Sequence, residues 1–132
     1  MGRTILGILA GVVVAWLAIS LCEFASLYLH RPAPGVDLRD PQALAAHIAS
    51  APPQAMLLVV AGWMVAAFGA GWLAARIARH RTAAALVIGV LVVLGVIGNN
   101  LLIPHPLWMT IVGIAMPLPL AWLAARVATP RA

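Results

Sequence analysis

Between Thr4 and Leu29 the chain carries one formally charged side chain, Glu23, in an apolar run of roughly 25 residues, longer than the roughly 20 that a helix needs to cross the hydrocarbon core of a bilayer. In lipid each backbone N–H and C=O must be satisfied inside the protein, and a single run of this length does so as an α-helix. Three more such runs follow, from about 54 to 78, 82 to 103 and 106 to 128. The fold expected is therefore all-α: a polytopic membrane protein of four transmembrane helices in an up-down bundle, with residues 1–132 forming one transmembrane domain. A composition of 64% hydrophobic and 8% charged residues, with a mean hydropathy of +1.07, is too apolar for a soluble domain.

The first connection, residues 30–53, is the one sizeable polar segment. Within it Asp40 precedes Pro41, an N-cap followed by proline at the first helical position. This predicts a short helix from about Pro41 to Ser50 whose Leu44, Ala45, Ile48 and Ala49 share one face, suited to lying on headgroups or to capping the bundle. The turns Arg79-His80-Arg81 and Pro104-His105-Pro106 can join only antiparallel neighbours.

The charge comes from eight arginines and no lysine. Arg3, Arg76, Arg79, Arg81, Arg126 and Arg131 fall on one side of the expected bundle, and Arg31 and Arg39, offset by Asp37 and Asp40, on the other. The positive-inside rule then puts both termini in the cytoplasm. Lysine-free, alanine-rich usage suits a GC-rich bacterial genome, and the expected location is the bacterial inner membrane. Nucleic acid is not an expected partner, because these cations cap apolar segments instead of clustering on a soluble face. Cys22 stands alone, so no intramolecular disulfide forms. Leu21 before it is not the small residue of a lipoprotein signal, and the first run exceeds a signal-peptide core, so it reads as a retained helix.

Gly7, Gly11 and Ala15 form a small-residue stripe that lets another backbone approach closely. A longer pattern links the second and fourth runs: Trp72-Leu73-Ala74-Ala75-Arg76-Ile77-Ala78 is echoed fifty positions on by Trp122-Leu123-Ala124-Ala125-Arg126-Val127-Ala128. Prolines precede both runs, Pro52 and Pro53 before one, Pro104 and Pro106 before the other. Two readings fit: a duplicated helical hairpin whose halves are related by an axis along the membrane normal, or the usual ending of an alanine-rich helix, with Trp in the interfacial belt and Arg snorkelling.

Glu23 is the one acidic residue inside an expected span, and an ionisable group there is a functional candidate because burying it charged is costly. Asn99 and Asn100 lie at similar depth, Ser20 and Ser26 flank Glu23 within about a turn, and Thr110 enters the fourth span nearby. Together Glu23, Asn99, Asn100, Ser20 and Thr110 are the expected intramembrane polar pocket, with Glu23 either a proton carrier or interhelical glue. Pro117 and Pro119 interrupt the fourth span, freeing the carbonyls of Gly113 and Ala115; this kink is a second candidate, since broken helices line sites in transporters. His30, His47 and His105 all fall on the outer side, but their spacing matches no compact metal motif. No nucleophile triad or phosphate loop is present, and neither catalytic residues nor a cofactor are expected.

The Gly7–Gly11 span bearing Glu23, the PGVDLRDPQALAAHIASAPP loop, the Gly62-Trp63 and WLAARIA of the second run, and the Asn99-Asn100 to Pro104-His105-Pro106-Leu107-Trp108 junction together resemble an uncharacterised family of small four-helix bacterial inner-membrane proteins with no assigned activity. The resemblance covers nearly the whole chain and implies the four-span layout without a mechanism. Small multidrug resistance transporters share the size, span count and first-helix glutamate, but the first loop here is much longer and their later glycine and aromatic motifs are missing. Fluoride channels have a phenylalanine-rich third span with no counterpart between Ala83 and Ile103. The expected function is a small noncatalytic membrane component whose partners are the lipid bilayer and either a second copy or another membrane protein. The alternative is a small oligomeric proton-coupled transporter or channel centred on Glu23.

Overall fold

Helix α1 (Gly2–Leu29) runs unbroken until His30, whose φ of −133° leaves the helix while its N–H still reaches the Ser26 carbonyl. The computed structural model describes residues 1–128, so Arg131 lies outside the described residues. After α1 come the short α2 (Pro41–Ala49), then α3 (Pro53–Val65), a π-helical turn (Ala66–Ala70) and α4 (Gly71–Ile77), then α5 (Arg81–Leu102), α6 (Leu107–Ala115) and α7 (Pro117–Val127). Among the described residues the protein is all-helical. Four helices are long and apolar enough to cross a membrane: Gly2–Leu29, Pro53–Ile77, Arg81–Leu102 and Leu107–Val127. Their bounds fall within two residues of those expected.

The helix in the long connection forms as its sequence directs. Both Asp40 carboxylate oxygens accept from backbone, one from Gln42 N–H and the other from Ala43 N–H at 3.3 Å each, with Pro41 in the first turn. Upstream, Pro34-Gly35 sits in a turn closed by Val36 N–H to the Ala33 carbonyl, and Gly35 takes a φ of +82° that only glycine adopts freely. His30 holds α2 against the end of α1: its ring stacks on His47 at 4.3 Å, and its Nε2 lies 2.9 Å from the His47 carbonyl.

The residues buried from α1 are Gly7, Gly11 and Ala15 and no others, the small-residue stripe. A Cβ on Gly7 would stand 2.7 Å from the Ala74 carbonyl oxygen, and one on Gly11 would stand 3.0 Å from that of Ala70. Farther along, Gly62 faces Cys22, and Ser26 Oγ donates to the Ala55 carbonyl at 2.8 Å. Contact positions thus rise along α1 as they fall along the second span, so these two helices run in opposite directions. Because lipid tails are as apolar as leucine, such contacts hold by close van der Waals packing and not by hydrophobic burial.

The second span is central, packing on α1, on α5 and on α6–α7. Its Trp63, Ala66, Ala67, Ala70 and Ala74 are buried together with Ile88, Val92 and Val96 of α5 and Met109 of α6. Trp63 fills the space over Gly113, where a Cβ would meet its ring at 2.8 Å.

Irregular backbone recurs at one spacing. Pro117 has no N–H to offer and α6 stops at Ala115, with Met116 N–H still reaching Val112. Fifty positions before the Met116–Leu120 segment lies the π turn Ala66–Ala70. Just beyond the two breaks, Gly71 and Ala121 face each other. The tryptophan–arginine echoes also behave alike: the Arg76 guanidinium lies 5.1 Å over Trp72 and that of Arg126 4.8 Å over Trp122. The first helices of the two hairpins share a pattern as well. Arg3-Thr4 and Gly11-Val12 recur seventy-eight positions on as Arg81-Thr82 and Gly89-Val90, and Gly89 is the point where α5 meets Pro117 and Ala121.

Candidate functional site, a groove between the first and third spans

Helices α1 and α5 pack on each other, and residues between Val12 and Glu23 of one and between Ile88 and Asn99 of the other line one space together with Trp63. Between them runs a groove of about 320 Å3. Eleven residues of helix separate Val12 from Glu23, so it is about 16 Å long. It exists because Ala15 and Gly95 contribute almost no side chain: no heavy atom lies within 4 Å of where a Gly95 Cβ would stand. Trp16 and Leu91, both exposed, form its rims.

Polar side chains line this groove at one end only, as Glu23 and Asn99. Glu23 is six residues before the end of α1, which at helical rise is about 9 Å along the axis. It is exposed at the bundle's surface, and among the described residues none donates a hydrogen bond or ion pair to its carboxylate. A carboxylate in hydrocarbon without a donor is costly, so this end of the groove favours water or a polar group from outside the chain.

The expected five-residue pocket divides. Asn100 turns away from the groove: its Nδ2 donates to the Val96 carbonyl at 2.8 Å, and its Oδ1 accepts from Thr110 Oγ1, tying α5 to α6. Successive helical residues point about 100° apart, so adjacent asparagines cannot both face α1. Ser20 is partly buried and does not line the groove. Pro117 is buried and Pro119 exposed. Neither the proline break nor the π turn borders the groove; both pack within the bundle.

The histidines do not converge either. His47 is held below the ordinary imidazole range, first by burial and then by the charge of His30. His105 sits apart, its ring edge-on to Trp63 at 5.8 Å and its Nδ1 2.9 Å from the Ile103 carbonyl. Burial lowers its pKa, partly opposed by that hydrogen bond. Among the described residues no three of His, Cys, Asp and Glu come together as a metal site. The arginines expected to set orientation lie at the other end of the bundle: Arg76, Arg79 and Arg81 border one hollow, and Arg126 lies outside it on Trp122.

Comparison with family models, with curated proteins and with solved structures yields no match to this chain. Two residues that shape the groove, Trp63 and Gly95, were not singled out by the sequence reading as site residues. The fifty-residue echo carried the signal for Trp63, because its counterpart is Gly113, a large residue set against an absent side chain.

Proposed function

We propose that this chain is a small noncatalytic component of the bacterial inner membrane that receives a transmembrane helix, from a second copy or from another membrane protein, in the groove between α1 and α5. In this reading the four spans form an up-down bundle with both termini cytoplasmic, built from a duplicated hairpin, and α2 lies at the outer interface. The single observation that carries it is a lateral apolar groove of about 320 Å3 whose polar end offers a carboxylate and an amide. A helix is the natural occupant: small residues at Ala15 and Gly95 permit close approach, and a donor on the incoming helix would meet Glu23.

The test is assembly. Wild-type protein in mild detergent should sediment as a complex, either with itself or with a protein that co-purifies from native membranes. Gly95→Leu, which fills the groove without touching Glu23, should release a monomer, whereas Glu23→Gln, which keeps shape and hydrogen-bonding capacity, should leave the complex intact. A monomeric wild type with no partner defeats this reading.

A second reading, a proton-coupled transporter or channel, draws on the interruption of both the second and fourth spans at matching positions together with a carboxylate at the groove. It requires that purified protein in liposomes conduct protons or cations and that Glu23→Gln, still folded, abolish the flux. The first reading expects no flux above empty vesicles.

A further inference from the structure

Of the five tryptophans, Trp72 and Trp122 stand near the ends of the second and fourth spans and Trp108 at the start of the fourth, in the belt where indoles anchor a membrane protein. Trp63 is buried. Trp16 follows neither pattern. It lies fourteen residues from one end of α1 and thirteen from the other, at mid-span, with 66% of its surface exposed on the rim of the groove. Lipid tails offer an indole N–H no acceptor at that depth, whereas protein interfaces use large aromatic side chains as anchors.

The rim and the hollow match in depth. Gly11 meets the Ile88 side chain. Ala85 is buried with Ala75, and Val96 with Trp63, so α5, like α1, runs against the second span. Counted from the Gly11–Ile88 contact, Trp16 and Gly95 lie five and seven residues on, within about 3 Å of one depth. Glu23 and Asn99 lie twelve and eleven residues on, within about 2 Å of another. There the Glu23 carboxylate offers acceptors and the Asn99 amide offers donors, and neither side chain has a hydrogen-bond partner among the described residues.

The groove thus carries both halves of two contacts: a large side chain with a hollow at its own depth, and an acceptor with a donor at theirs. Two copies inserted the same way round and related by a two-fold axis along the membrane normal keep every depth, and such an axis repeats each contact in reverse. We infer that the occupant of the groove is a second copy of this chain, each α1 entering the other's groove with Trp16 over the partner's Gly95 and Glu23 against the partner's Asn99. This rests on the reading of the groove as a helix-receiving site and names the helix.

Two forms of the full chain with different affinity tags, co-expressed and purified in mild detergent, test it. Each tag should retain the other form, and sedimentation equilibrium should give a dimer. Trp16→Ala should weaken that dimer about thirtyfold, the size of an aromatic anchor. Leu21 is at least as exposed as Trp16 but points about 140° away from it around the helix, so Leu21→Ala should change the dissociation constant less than about twofold. Both side chains are exposed, so both variants should fold, with helix content by circular dichroism as the check. Mixing Glu23→Ala with Asn99→Ala chains tests reciprocity. The mixed dimer keeps one intact Glu23–Asn99 contact and each like dimer keeps none, so mixed dimers should exceed their random share. Random mixing, or equal losses for Trp16→Ala and Leu21→Ala, would overturn the inference. A single copy bound to a different native protein and released by Gly95→Leu would keep the helix-receiving reading and sink the second copy, whereas a monomer with no partner would sink both.

Discussion

The first hairpin, α1 with α3 and α4, and the second, α5 with α6 and α7, share a plan but solve it with different chemistry. In each, a glycine on the leading helix meets the returning helix, Gly11 at Ala70 and Ala74, Gly89 at Pro117 and Ala121. In each, one hydroxyl ties the pair at the other end, Ser26 to the Ala55 carbonyl and Thr110 to Asn100. They differ in how the returning helix is interrupted. In the second hairpin a proline removes a donor, whereas in the first a π turn appears in Ala-Ala-Phe-Gly-Ala, which contains no obligate breaker. The same level is thus interrupted by a local breaker in one hairpin and, in the other, by a turn that no residue of its own demands.

The largest effect that would break this comparison is expected at its centre. Trp63→Ala should destabilise the protein by about 3–5 kcal/mol, because it empties a buried space in the first hairpin that Gly113 of the second leaves for it. Unfolding titrations in mixed detergent micelles would read this, and a cost below about 1 kcal/mol would show that the ring is not a structural wedge. Next come the glycine contacts. Gly7→Ala puts a methyl group 2.7 Å from a backbone oxygen and should cost about 1–3 kcal/mol by overpacking. Gly95→Ala, where the space is open, should be neutral or stabilising by about 1 kcal/mol through helix propensity. Equal costs at both positions would mean that α1 is not seated as described.

Smaller still are the two hydroxyl ties. Ser26→Ala and Thr110→Val should each cost about 0.5–1 kcal/mol, in line with interhelical hydrogen bonds in membranes. Matching values would sharpen the equivalence of the hairpins, and a tie worth nothing in one of them would end it.

The connections supply a last, pH-dependent contrast. His105 and His47 both have folded pKa values below the unfolded value near 6.5. Stability from the neutral rings is therefore fully present above about pH 6.5 and declines as pH falls from there through the folded values. The half-buried His105 should account for more of the decline than the more exposed His47, which is discounted for solvent screening. Melting temperatures of His105→Asn and His47→Asn between pH 7.5 and pH 5 would show which slope flattens.

Much of this architecture was legible in the residues. Span lengths follow from runs of apolar side chains that only a helix can carry across lipid, and α2 follows from Asp40 before Pro41. The role of Gly7, Gly11 and Ala15 as a packing face was legible too, since small residues at that spacing have little other use in a membrane helix. The break at Pro117 followed from its missing N–H, but nothing in Ala66–Ala70 announces a π turn, because that turn is a response to neighbouring helices. The polar pocket was misjudged in extent for a related reason: depth along the helices was readable, but rotation about the axis was not, and rotation sends Asn99 to the groove and Asn100 to Thr110.

Trp63 and Gly113 occupy corresponding places in the two hairpins, and one is full where the other is empty. A chain made of two first hairpins would set indole against indole there, and one made of two second hairpins would leave a void. At this position the two halves are not interchangeable. A swap that pairs a hairpin with its own copy in a neighbouring molecule is thereby disfavoured, and the partner each half accepts most readily is the one already tethered to it by the Arg79-His80-Arg81 turn.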